Sequence, residues 1–215
     1  PDAANKALDQ LGLTKRDGDG TRLLPSGKRV VLELSVVPAF AAWPDVAQLV
    51  ARDWEKVGVK TVVQLRERAL HFKMRDNNEL MTEIWNEDTT GFPFTGNAKF
   101  DPRNSPILTL GPLYGRWVQT KGAEGVEPPA AIKRVMEIVD QAKTVGPEQQ
   151  ARLAQELFRI WTDNLWEVGT IGLTPMVQGV VVANTRFRNV PTTLGNDWPL
   201  RSPGNARAEQ FFFAR

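Results

Sequence analysis

Residues 30–65, VVLELSVVPAFAAWPDVAQLVARDWEKVGVKTVVQL, decide the fold. Positions 30–37 alternate around β-branched side chains, which predicts a strand, and Pro38 ends it. Pro44 opens a helix that runs to Val57, because its ring presets φ for a first turn. Val46, Leu49, Val50, Trp54 and Val57 are predicted as the buried stripe of that helix, and Gly58 closes it. Positions 59–65 return to period two and place Val59, Thr61, Val63 and Leu65 on one face. Downstream, a poorer helix over 69–77 and a strand over 80–85 continue the same order. Strand, helix, strand, helix, strand with short connections argues for βαβ units and a largely parallel sheet. Upstream, Ala4, Ala7, Leu8 and Leu11 share one face of a short helix that Gly12 stops.

The chain has 215 residues, enough for one large domain or two small ones. Hydrophobic residues make up 41% and charged residues 24%, ordinary values for a soluble globular protein. Lys and Arg number 27 against 25 Asp and Glu, so the basic surplus that a nucleic-acid partner would require is absent. No apolar run approaches the ~18 residues of a membrane-spanning helix. The lack of Cys excludes disulfides, thiol catalysis and thiolate metal sites. His71 is the single His, which excludes multi-His zinc sites.

Between positions 86 and 129 the regular patterns thin out and prolines recur, a long irregular segment of the kind that is usually functional or disordered. Phe92, Phe94, Phe100, Tyr114 and Trp117 give it packing anchors. Two strong helices follow over 128–145 and 147–166, with stripes Ile132, Val135, Met136, Val139, Ala142 and Leu153, Ala154, Leu157, Ile160, Trp161, Leu165. Gly146-Pro147 between them reads as a C-cap followed by an N1 proline, making a helical hairpin. Extended segments are predicted over 168–173 and 177–183. Of the seven tryptophans, Trp54, Trp161 and Trp166 read as core, while Trp43, Trp117 and Trp198 stand beside Pro or Gly, where exposure is expected.

The catalytic inventory is thin. Asp17-Gly18-Asp19-Gly20 invites a calcium-loop reading, but that register puts Lys15 at the first ligand position and Ser26 at the bidentate twelfth. A Gly-assisted turn fits better. A Ser-His-Asp triad would have to use His71, read as surface or half-buried, and none of Ser26, Ser35, Ser105 and Ser202 lies in a nucleophile elbow. Gly18 and Gly20 precede a strand, whereas phosphate loops follow one. Glu83, Glu87 and Asp88 could serve a carboxylate-based glycosidase. The most informative place is the end of the 80–85 strand, because ligands of open parallel sheets bind outside the carboxyl ends of the strands. That end delivers Trp85, Asn86, Glu87 and Asp88, followed by the aromatic segment with Phe92 and Trp117. These six are the candidate ligand-binding residues. A flat indole beside amide and carboxylate groups suits a polar organic ligand. A core tryptophan with solvated acids is the competing reading.

Several segments, in order, resemble the C-terminal portion of the family 5 extracellular solute-binding proteins, the dipeptide and oligopeptide receptors of ABC importers. They are Leu11-Gly12-Leu13, Arg16-Asp17-Gly18-Asp19-Gly20, Pro25-Ser26-Gly27-Lys28, Glu55-Lys56-Val57-Gly58-Val59-Lys60 and the strand ending in Trp85. The helical pair, Gly169-Thr170-Ile171-Gly172, Arg188-Asn189-Val190-Pro191 and Ala208-Glu209-Gln210-Phe211-Phe212-Phe213 complete the set. The resemblance implies an α/β lobe of the periplasmic-binding-protein type II kind, with a mainly parallel sheet flanked by helices. Residues 1–175 would form the second lobe of a two-lobed receptor, incomplete at its N-terminus, and 176–215 would cross back toward a first lobe that, with a signal peptide, precedes Pro1. It further implies no enzyme activity, no cofactor and no metal. The implied partners are a peptide or oligosaccharide ligand and an ABC permease, with no nucleic acid, and the implied location is periplasmic or extracellular, membrane-associated through the permease. Hinge closure on the ligand would be the mechanism. Asp88 stands three residues after Trp85, the spacing at which peptide-binding members hold the ligand's amino group. Thr89-Thr90-Gly91-Phe92-Pro93 replaces the family's usual Tyr-Pro continuation, and the closing motifs look closer to members that take oligosaccharides. A glycosidase and a non-catalytic interaction domain are the alternatives.

Overall fold

The computed structural model describes residues 1–38, 42–85, 94, 100–103, 111–169, 183–192 and 206–214. The chain divides into two compact units, Pro1–Asn86 and Glu87–Arg215.

The first unit is built on a three-stranded parallel sheet. Its strands are β1 (Val31–Val36), β2 (Lys60–Leu65) and β3 (Thr82–Glu83), in the order β2-β1-β3. The connections are the helices α2 (Trp43–Lys56) and α3 (Arg68–Asp76), so the expected βαβ order holds. Side chains alternate across β1. Leu34 and Val36 pack with Trp43 and Ala47 of α2, with Val63 and Ile84 beside them. Ser35 points the other way and meets His71 of α3. The two helices therefore cover opposite faces of the sheet.

Several details depart from the sequence pattern. The stripe of α2 is Trp43, Ala47 and Ala51, spaced four apart, and Leu49 is 54% exposed. The helix begins at Trp43, and its small residues let its axis approach the sheet, which turns the larger side chains to the flanks. Trp43, expected to be exposed, is buried, while Trp54 is only half-buried. Leu65 leaves the predicted buried face of β2, being 60% exposed. The third strand is far shorter than 80–85, because its ladder to β1 covers only Leu34↔Thr82 and Ser35↔Glu83.

The helix α1 (Asp2–Gln10) is tied to the sheet by Arg22, whose side chain is 2% exposed. Arg22 Nε donates to the Val57 carbonyl at 2.8 Å, Nη1 to Asp9 Oδ1 at 2.5 Å and also to the Leu13 carbonyl, and Nη2 to Asn5 Oδ1 at 2.8 Å. Val57 caps the C-terminus of α2, where a cation also suits the helix dipole.

The second unit contains α4 (Pro112–Gln119), α5 (Ala130–Ala142) and α6 (Pro147–Asn164). The helical hairpin of α5 and α6 buries Val135, Ile138, Val139 and Ala142 against Leu153, Leu157, Trp161 and Phe100. Trp166 packs on that core, edge-on to Trp161 at 5.1 Å, whereas Leu165 is exposed at the left-handed C-cap. Arg134 on α5 grips Glu156 on α6 with two parallel bonds of 2.7 and 2.9 Å. Gly146 is the extended N-cap of α6; the C-cap of α5 is Lys143. The helix α4 lies inside the stretch read as irregular. Gly115 makes its packing possible, since a Cβ there would stand 1.9 Å from the Pro102 carbonyl oxygen. Short antiparallel strands β4 (Phe187–Arg188) and β5 (Phe212–Phe213) pair near the end of the chain. Of the extended segments expected over 168–173 and 177–183, residues 168, 169 and 183 are in no strand, and 170–182, with Trp198, lie outside the described residues.

Candidate ligand-binding site

The backbone ladder of β3 stops at Glu83, apart from a bond from the Ile84 amide to the Ser35 carbonyl at 3.0 Å. Trp85 therefore leaves the sheet at its carboxyl edge and is placed by side chains. Its indole meets the edge of Trp43 at 5.0 Å, lies 5.2 Å from Phe72 and stacks on His71 at 5.9 Å with an interplanar angle of 17°. The Arg68 guanidinium, exposed at the start of α3, lies 5.9 Å from the same ring. The amino end of α3 is closed by Glu67, whose carboxylate accepts from the amides of Ala69 and Leu70. Trp85 is half-buried, so it belongs both to the core and to the rim of the sheet.

A polar chain runs beneath this aromatic cluster. Glu33 pairs with Arg66 Nη2 at 2.8 Å, and Arg66 Nη1 donates to Ser35 Oγ at 3.1 Å. Ser35 Oγ lies 3.0 Å from His71 Nδ1, and His71 Nε2 lies 2.5 Å from Glu83 Oε2. With the imidazole proton on Nε2, the Ser35 hydroxyl donates to Nδ1 while Nε2 donates to Glu83. Ser35 and His71 are both fully buried, which corrects the surface reading of His71. The three members of a Ser-His-Glu set are thus brought together. They are not arranged as a nucleophile and its base: Ser35 Oγ is sealed from solvent and already accepts from Arg66. The polar residues at alternate positions of β1, Glu33 and Ser35, mark a polar face of the strand, but nothing local in the sequence joins them to His71 or Glu83.

Of the six candidate residues, Trp85 stands at the carboxyl edge as expected. Asn86, Glu87, Asp88 and Phe92 lie outside the described residues. Trp117 is on α4 in the second unit, half-buried, with the Lys133 amine 5.7 Å from its ring; the expected open loop is a helix. At the opposite, amino end of β2 a hollow of about 260 Å³ is lined by Asp19, Thr21, Arg29, Glu55 and Lys60. Its charges are already matched. Arg29 bonds Asp17 and Asp19, each at 2.6 Å, and Lys60 bonds Glu55 at 2.7 Å. The Asp17 carboxylate also accepts from the amides of Asp19 and Thr21, which makes the segment a turn rather than a cation loop. Among the described residues no group of three or more His, Cys, Asp or Glu could hold a metal ion. No described helix is long and apolar enough to cross a membrane.

No protein-family model matches the chain, and no curated protein matches it. Solved structures do. An oligopeptide-binding protein, OppA, is 30% identical with a TM-score of 0.74, over 100% of this chain and 35% of that one. Over its whole length the chain is thus similar to part of a family 5 solute-binding protein. It spans about a third of the length of that relative, 35%. The same fold is found in the periplasmic binding protein MelB of Agrobacterium fabrum C58 in complex with stachyose, at TM-score 0.62 and 17% identity, over 76% of this chain and 24% of that one. NikA from Brucella suis in complex with Fe(III)-EDTA follows at TM-score 0.55 and 16% identity, over 73% and 29%. The parallel sheet flanked by helices is thus the periplasmic-binding-protein fold, and the family 5 reading of the sequence motifs holds.

Proposed function

We propose that the chain forms the C-terminal portion of a solute receptor of an ABC importer. In this reading residues 1–175 form the second lobe, and 176–215 cross back toward a first lobe. The protein works in the periplasm or outside the cell, without chemistry, and hands its solute to a membrane permease. The observation that carries this reading is the aromatic cluster around Trp85 at the carboxyl edge of a parallel sheet, where ligands of open α/β sheets bind. Trp85 offers an apolar plane, and Asn86, Glu87 and Asp88 follow it in the chain as groups that orient a polar solute. The solute is a peptide or an oligosaccharide. OppA is an oligopeptide-binding protein, and MelB was solved with stachyose.

The test is a thermal-shift and calorimetric screen of the protein expressed from its complete gene, against oligopeptides and oligosaccharides. A cognate solute at 100 times its dissociation constant should add about 2.7 kcal/mol of stability. Replacing both Trp85 and Asp88 by Ala should abolish the shift. Unchanged binding in that double variant would refute the site.

A further inference from the structure

We infer that His71 is the positioning residue for Trp85: one imidazole holds Glu83 through Nε2 and the Trp85 ring by stacking, and so fixes where the indole stands at the edge of the sheet. The inference rests on the reading that Trp85 meets the solute. Glu83 and Trp85 are two apart on β3 and its extension, hence on one face. Past Glu83 the backbone is held, among the described residues, by the single bond from the Ile84 amide to the Ser35 carbonyl at 3.0 Å, and none reaches Trp85 itself. The side chain of Glu83 is 10% exposed; its Oε2 is bonded to His71, and its Oε1 is buried without a hydrogen-bond partner among the described residues. Without the imidazole neither carboxylate oxygen would have a partner among the described residues, and a buried, unpartnered carboxylate turns toward water. The strand end would turn with it and carry Trp85 away.

His71 is itself fixed from behind. Both ring nitrogens are bonded, Nδ1 to Ser35 and Nε2 to Glu83, so the ring plane cannot flip or slide. Ser35 is in turn held by Arg66, and Arg66 by Glu33. The plane offered to the indole, 17° from parallel, is therefore set by a hydrogen-bonded chain that reaches back across the middle of the sheet.

The experiment follows the indole Nε1–H resonance of Trp85 in the ¹⁵N-labelled chain, assigned by its loss in Trp85→Phe. His71→Phe keeps a ring but removes both hydrogen bonds. It should move the Trp85 resonance by more than its linewidth and leave that of Trp161, in the second unit, in place. If His71→Phe does not fold, as a Trp54 resonance collapsed to its random-coil position would report from the same unit, His71→Gln takes its place. Glu83→Gln keeps an acceptor for Nε2–H and should move Trp85 less than Glu83→Leu does. A Trp85 resonance unmoved in both His71 variants overturns the inference. In the complete protein, with stachyose and tri-alanine as probes, His71→Phe should weaken the binding of whichever probe wild type takes by roughly tenfold. Unaltered affinity with a displaced indole upholds the positioning by His71 and refutes the reading that Trp85 meets the solute. Trp85→Ala binding the probe like wild type refutes the ligand reading instead, and the resonance still decides whether His71 holds the ring.

Discussion

Arg22 uses all three of its side-chain nitrogens inside the chain, on α1, on the segment after it and on the end of α2. Its partners are mostly carbonyl oxygens, which no shorter or singly pointed cation can reach together. Arg22→Met should lower the stability of the first unit by about 3 kcal/mol, because it leaves buried acceptors without donors. Arg22→Lys should recover only a minor part. Urea unfolding followed by far-UV circular dichroism reads both. Nothing in the local sequence marks Arg22, which follows a turn and looks like a surface residue. His71 was hidden for a related reason. Its partners are 36 and 12 positions away, and they meet only when β1 and β3 adopt parallel register. Burial of a polar residue depends on such long-range matching, which a hydropathy pattern does not encode.

The elements themselves were far more legible. Alternation over 30–37 and 59–65 and the 3.6-residue period between them are local properties, and they located β1, α2 and β2 closely. The missed helix α4 contains Gly115 and follows a run of prolines, so its propensity is poor; close packing on Pro102 compensates. The ladder of β3 was overestimated because a strand pattern reports side-chain alternation and not the presence of a partner. In the α5–α6 hairpin the electrostatics carry a pH signature. The Asp140 carboxyl is held down to about 2 from 3.8, chiefly by its hydrogen bond from Arg103, with Lys143 adding to it and partial burial opposing. A depressed carboxyl favours the folded state above its ordinary value, so that stabilisation is complete above pH 3.8 and fades as pH falls toward about 2. The side chain is half exposed, which keeps the effect small. Over that window the urea midpoint of wild type should fall more steeply than that of Asp140→Asn.

For the whole molecule, the proposed reading as the C-terminal portion of a two-lobed receptor means that the chain carries only part of the contacts a solute makes. The 215-residue chain alone should therefore bind the cognate solute far more weakly than the complete protein. Isothermal titration of the two side by side checks this, and equal affinity would contradict the two-lobed reading. The place of Trp85 at the carboxyl edge of the sheet was legible, because the βαβ order puts the end of that strand there. Its supporting chain of Glu33, Arg66, Ser35, His71 and Glu83 was not.

The short ladder of β3 leaves the indole hanging from side chains of α2 and α3 instead of from the backbone hydrogen-bond net. Such a platform is easy to retune. Exchanging Phe72 or Arg68 on α3, or Trp43 on α2, would tilt or translate the ring without breaking a strand, so directed evolution toward a new solute should accumulate its changes on those two helices and leave the sheet untouched.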